Sequence, residues 1–128
     1  MNIPKDLLYT PEHFWVKEEN GVYRCGITDF AQNELGDIVY VEMPKLNSTV
    51  KKGDKIGDVE SIKTVSNLYS PLSGVITEVN SLLENKPEII NLSPYEKGWI
   101  CVIQSSDQNE LQQLLSVDEY NKVIQENK

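Results

Sequence analysis

The sequence predicts a mainly β domain, a β-sandwich or flattened barrel, with short helices near residues 29–35 and at the C-terminal end. Two observations carry that expectation. Short β-prone runs recur between residues 38 and 105 with Gly, Pro and Asp punctuation, and after Ser106 the apolar spacing turns helical. A fainter third is an internal echo: Val39-Tyr40-Val41-Glu42-Met43 and Val75-Ile76-Thr77-Glu78-Val79 each lead into a polar turn and a further strand-like run.

Taken in order, Trp15–Glu19 and Val22–Ile27 flank Asn20-Gly21, a pair that tolerates positive φ and suits a two-residue hairpin turn. Asp29, with Gln32 three residues on, reads as the cap of a short helix that Gly36 ends, with Phe30, Ala31 and Leu35 inward. Asp37 then reads as a turn residue. Strands are expected at Ile38–Met43, Thr49–Val50, Lys55–Ser61, Thr64–Tyr69, Gly74–Asn80, Ile89–Leu92 and Gly98–Ser105, separated by Pro44, Lys52-Gly53-Asp54, Pro71, Pro87 and Pro94. Helices fill roughly 107–126. Leu111, Leu114 and Leu115 form one stripe, and Ser116 with Glu119 reads as a capping box ahead of Tyr120, Val123 and Ile124.

The chain's 128 residues suit one domain, and 39% hydrophobic with 25% charged residues is the balance of a soluble globular protein. No apolar run approaches the roughly 20 residues of a membrane span, and Met1–Asp6 lacks the basic and apolar regions of a signal peptide. A cytoplasmic setting is expected, or a mitochondrial matrix if a transit peptide was removed. Twelve Lys+Arg, of which Arg24 alone is arginine, face twenty Asp+Glu for a net charge of −8, which disfavours nucleic-acid binding. Cys25 and Cys101 lie in strand-like runs and read as two reduced, buried thiols, and the lone His13 reads as a structural imidazole rather than part of a metal site. No nucleophile–base pair or phosphate-binding glycine loop points to an enzyme.

Lys63 stands out. It lies at the centre of Val59-Glu60-Ser61-Ile62-Lys63-Thr64-Val65-Ser66, with Lys55 and Lys86 its nearest basic neighbours, between the Gly53–Asp58 turn region and Ser70-Pro71. A lysine amine is almost wholly protonated at neutral pH, so its acylation needs an enzyme that brings an activated acyl group and recognises the lysine by position.

These residues resemble the H proteins of the glycine cleavage system. The resemblance extends through Tyr9-Thr10-Pro11-Glu12-His13-Phe14-Trp15-Val16, Gly26-Ile27-Thr28-Asp29-Phe30-Ala31-Gln32, Leu35–Glu42, Ser70-Pro71-Leu72-Ser73-Gly74 and Pro94–Trp99. It implies a barrel-sandwich hybrid of the biotinyl/lipoyl type, with a hairpin over about residues 55–69 and lipoic acid attached to Lys63 at its tip. It also implies a monomeric, non-catalytic carrier that neither spans membranes nor binds nucleic acid. Its partners would be a pyridoxal-phosphate glycine decarboxylase, a folate-dependent aminomethyltransferase, a dihydrolipoyl dehydrogenase and a lipoate-attaching enzyme. The carrier would take an aminomethyl group from the first to the second and be reoxidised by the third. Biotin carriers typically place methionines beside their lysine, where this chain has Ile62 and Thr64. A relay handing lipoyl groups to other complexes, or an unmodified binding module, are the competing readings. Family members usually carry a glutamate where Phe14 stands, and many an aspartate where Asn67 stands. Glu12 is then the nearest remaining acid for a cationic cargo, with Glu34 a further candidate by family position.

Overall fold

The computed structural model describes residues 1–126. Nine strands lie among the described residues: β1 (Leu8–Tyr9), β2 (Phe14–Glu19), β3 (Val22–Ile27), β4 (Ile38–Glu42), β5 (Thr49–Val50), β6 (Lys55–Ser61), β7 (Val65–Tyr69), β8 (Gly74–Val79) and β9 (Cys101–Ser105). They form a six-stranded sheet ordered β1-β2-β3-β9-β8-β5 and a three-stranded sheet ordered β4-β6-β7, with all pairings antiparallel. Helices α1 (Asp29–Leu35), α2 (Leu82–Asn85), α3 (Ile89–Leu92) and α4 (Val117–Glu126) decorate this frame, with a 3₁₀ segment at Gln108–Gln113.

Alternation places two apolar layers. Phe14, Val16, Cys25 and Ile103 of the large sheet meet Val41, Val59 and Leu68 of the small one in the main core. Tyr9 and Trp15 join Phe30, Tyr120 and Ile124 in a second core. Every side chain of Phe14-Trp15-Val16 is therefore buried, although a strand with one wet face would bury only alternate ones. Trp15 crosses Gly26, its register partner, where a Cβ would stand only 3.0 Å from the indole nitrogen; that N–H donates to the Pro94 carbonyl at 2.9 Å.

The Asn20-Gly21 hairpin forms as expected, both residues having positive φ of 55° and 84°. The capping box also forms: the Ser116 N–H donates to Glu119 and the Glu119 N–H to the Ser116 hydroxyl. Those bonds hold the Glu119 carboxyl below its ordinary pKa. Tyr120, opened inward by that cap, stacks on Tyr9 with ring centroids 4.6 Å apart and a 5° tilt. Its hydroxyl bonds Thr28 Oγ1 at 2.7 Å and His13 Nδ1 at 2.8 Å, and burial raises its pKa to about 12.

Four expectations need correction. Ile89–Leu92 is a helical turn, not a strand; Pro87 accepts from the Ile90 N–H, and Ser93 N–H closes back on the Ile89 carbonyl. The cap of α1 is Thr28, whose hydroxyl accepts from the Ala31 N–H, while Asp29 instead receives the Gln32 side-chain amide. The last strand begins at Cys101 because Gly98 is held in a turn by the Ser93 carbonyl. The region from 107 breaks at Leu114–Ser116, where Leu115 exchanges backbone bonds with Tyr9 of β1 and so cannot continue a helix.

Cys25 and Cys101 are both free and buried, and antiparallel register sets them opposite one another with sulfurs 3.5 Å apart. The hydrogen bond between them, followed by burial, pushes the Cys25 thiol well above its ordinary pKa. No helix among the described residues is long and apolar enough to cross a membrane.

Candidate functional site

Strands β6 and β7 form a hairpin whose connection is Ile62-Lys63-Thr64. Propensity does not favour a turn there. What closes it is Ser61: its N–H donates to the Thr64 carbonyl at 2.8 Å, and its hydroxyl accepts the N–H groups of Lys63 and Thr64, both at 3.1 Å. The Ile62 N–H donates to the Asp37 carbonyl at 3.1 Å, tying the tip to the loop ahead of β4. Lys63 is exposed and forms no ion pair among the described residues.

The stem of that side chain rests on Gly36. A Cβ at position 36 would lie 3.2 Å from Lys63 Cε, and Gly36 has the positive φ of 79° that ends α1. Asn91 supports this corner from α3. Its Nδ2 donates to the Gly36 carbonyl and to Gln32 Oε1, both at 2.9 Å, and its Oδ1 accepts the Ile38 N–H at 2.9 Å. Neither Ser61 nor Asn91 stands out by residue type alone. The strand expected at Ile89–Leu92 hid Asn91, and only the short turn before the lysine hints at Ser61.

At the other end of the hairpin an open cleft of about 540 Å³ is lined by Glu12, Lys52, Gly53 and Tyr69. Tyr69 stands four residues past Val65, roughly 13 Å along the strand. Asn67 is exposed beside it, donating its side-chain amide to the Tyr69 hydroxyl at 3.2 Å. Lys52 is held at the rim by the side-chain oxygen of Gln113, 2.9 Å from Nζ.

The acidic candidates separate. Glu12 is exposed on the cleft, and Glu34 is exposed on α1 facing His13. His13 adopts φ 71°; burial lowers its pKa, and the charge of Glu34 partly offsets this. Phe14 is only 1% exposed and its side chain enters the main core, so this position offers nothing to the cleft in this chain.

Two packed antiparallel sheets, one of them carrying this projecting hairpin, make a barrel-sandwich fold of the lipoyl-domain type. The chain's relatives narrow this class. The family model described as "Glycine cleavage H-protein" matches residues 7–127. The "Glycine cleavage system H protein" of Oceanobacillus iheyensis is 56% identical over 126 residues, spanning 98% of this chain and 100% of that protein. That of Listeria monocytogenes is 53% identical over 124 residues, 97% and 99% of the two chains. A crystal structure of a glycine cleavage system H protein from Mycobacterium marinum superposes with a TM-score of 0.84 at 38% identity, covering 94% of this chain and 97% of that one. The chain belongs to the glycine cleavage H-protein family.

Proposed function

We propose that this chain is the lipoyl carrier of the glycine cleavage system, bearing lipoic acid in amide linkage on Lys63 and acting in the cytoplasm. The observation that carries the reading is the tip itself: a solvent-exposed lysine without an ion-pair partner among the described residues, on a turn fixed by Ser61 and Asp37, with its stem resting on Gly36. The residues fit the group, because the amine is accessible to an attaching enzyme and the stem has a glycine beneath it rather than a side chain. When attached, the lipoyl group supplies a dithiolane that accepts the aminomethyl unit of glycine on an arm reaching on the order of 10–15 Å.

The chain's own part is presentation. Ser61 keeps the lysine backbone in one conformation, so each partner meets the same geometry: the pyridoxal-phosphate decarboxylase, the folate-dependent transferase, the dihydrolipoyl dehydrogenase and the lipoate-attaching enzyme. Glu12 in the cleft supplies the carboxylate suited to a cationic cargo, and Asn67 and Tyr69 supply neutral polar groups beside it. Tethering replaces diffusion of a labile adduct with a high effective concentration at whichever enzyme docks.

The test is the intact mass of the protein purified from its native cell, alongside Lys63→Arg expressed in the same cell. One lipoyl increment on the wild-type chain, mapped to Lys63 and absent from a variant that melts at the same temperature, is expected. An unmodified chain in lipoate-replete cells, or a lipoyl group on another lysine, refutes the assignment.

A further inference from the structure

Asn91 turns its amide away from its own helical turn and onto the seat of the lysine tip. Its Nδ2 donates to the Gly36 carbonyl and to Gln32 Oε1, and its Oδ1 accepts the Ile38 N–H, each at 2.9 Å. The Ile38 N–H fixes which end of the amide is oxygen, so both amide hydrogens face oxygen acceptors. Gln32 is braced in turn: its Nε2 donates to Asp29 Oδ1 at 2.6 Å, and Asp29 Oδ2 accepts the Asn2 N–H at 2.7 Å. A run of side-chain bonds therefore reaches from Asn2 through α1 and α3 to the backbone at the start of β4.

That backbone, Gly36-Asp37-Ile38, is what the tip rests on. The Asp37 carbonyl accepts the Ile62 N–H at 3.1 Å. Gly36 lies under the Lys63 stem, where an added Cβ would stand 3.2 Å from Cε and 3.7 Å from Nζ. Asn91 thus grips the residues on both sides of the carbonyl that holds the tip. Ser61 acts differently. The bonds of its hydroxyl and N–H stay within the turn and set its shape, whereas the bond to Asp37 sets where the turn stands over the domain.

We infer that Asn91 is a positioning residue for the acylation of Lys63: by fixing Gly36-Asp37-Ile38 it sets the direction in which the amine is presented. This rests on the function proposed above. In the acylation step the free amine of Lys63 attacks the carbonyl carbon of an activated lipoyl ester, a lipoyl adenylate. The C–N bond forms, the acyl–oxygen bond breaks, adenylate leaves with the electron pair, and the amine gives up a proton to solvent. Asn91 touches none of these atoms. Its effect is geometric, because displacing a reacting group by about 1 Å can cost on the order of 100-fold in rate.

Asn91→Asp is nearly isosteric but sets a carboxylate oxygen against the Gly36 carbonyl and Gln32 Oε1. Gln32 cannot reverse its amide to help without turning its own oxygen toward Asp29. The experiment acylates the full-length unmodified chain with purified lipoate-attaching enzyme and lipoyl adenylate, at a temperature where circular dichroism finds wild type and variant equally folded. The kcat for Lys63 should fall about tenfold or more while KM stays near wild type. Two readouts separate positioning from general loosening. Reaction of Lys63 with acetic anhydride, scored by peptide mapping against the exposed Lys97, should be unchanged, and the Ile62 amide should exchange with deuterium faster than in wild type. Gln32→Met removes the brace and one acceptor, should give a smaller loss in the same direction, and serves if Asn91→Asp does not fold. Unchanged kcat in the folded variants, a rise in KM alone, an equal fall with acetic anhydride, or slowed acylation with wild-type exchange at Ile62 overturns the inference. If the wild-type chain is itself not acylated at Lys63, the function proposed above falls instead, so the two failures are distinguishable.

Discussion

Ending the chain before Ser116 removes α4 and tests whether its apolar stripe is core or interface. The structure makes the cost large. Tyr120 is fully buried and Ile124 nearly so, and at about 1.5–3 kcal/mol for each fully buried side chain the pair contributes roughly 3–6 kcal/mol. Loss of the Tyr120 hydroxyl also takes one hydrogen-bond partner from Thr28 Oγ1, which keeps the Ala31 N–H, and one from His13 Nδ1. Leu7, Tyr9, Trp15 and Phe30 lose their cover as well. The total rivals the net stability of an ordinary domain, about 5–15 kcal/mol. The truncated chain should therefore melt roughly 10 °C or more below the full chain, or be unfolded at 25 °C, in thermal scans followed by far-ultraviolet circular dichroism. Tyr120→Phe divides the effect: it keeps the stack on Tyr9, removes only the hydroxyl bonds, and should cost about 1–3 kcal/mol. A truncation that leaves the melting curve in place while weakening association with partner enzymes would refute the core assignment and make the stripe a docking face.

Three further outcomes are expected. Glu12→Gln should speed, and Asn67→Asp should slow, spontaneous ammonia release from the loaded carrier without transferase, because a charge-assisted hydrogen bond contributes about 1.5–3 kcal/mol; equal decay rates would show that the cleft does not hold the cargo. Phe14→Glu, although it installs the residue usual in the family, should lower stability by several kcal/mol in denaturant titrations, because it sends a carboxylate into a core position; an unchanged midpoint would show that the side chain escapes to the surface. His13 has a folded pKa below its unfolded value, so its neutral form is the one the fold accommodates. That contribution is fully present above the unfolded value near 6.5 and is lost as pH falls from there through the lowered folded value. His13→Asn, which tolerates the positive φ, should flatten that part of the stability–pH curve, and an unaltered slope would count against the imidazole as its source.

Much of the fold is legible in the sequence because the signals that specify it are local. Asn20-Gly21, Gly36 and the Ser116/Glu119 pair act through their own backbone neighbours, and each does what its chemistry predicts. Ile89–Leu92 fails for the opposite reason. Its β-branched composition suggests a strand, but the segment is held as a helical turn by Pro87 and by the close approach of Gly98 to Ile90, a contact between positions eight apart. The facing of Cys25 and Cys101 depends on the register of β3 with β9 and cannot be seen in either segment alone. At the candidate site, Lys63 stands apart by its isolation, but Ile62-Lys63 carries no turn propensity and only the family resemblance puts it at a tip. Its support could not be found in the sequence, because Asp37, Gly36 and Asn91 converge on the tip from segments separated by loops and helices. Phe14 shows how position and side chain can part: the backbone place is the family's, but the ring follows the pleat into the core.

The bond from Ile62 to the carbonyl of Asp37, twenty-five positions earlier in the chain, sets an order of events for the newborn protein. Ser61 can close its turn with near neighbours, but the tip acquires its backing from Asp37, Gly36 and Asn91 only once the two halves of the chain have come together. On the function proposed above, an enzyme that selects Lys63 by shape would meet its substrate after folding and not on the nascent chain. A peptide cut from Val59–Ser66 should make a poor acceptor, and acylation would then act as an inspection step, marking chains whose assembly is complete.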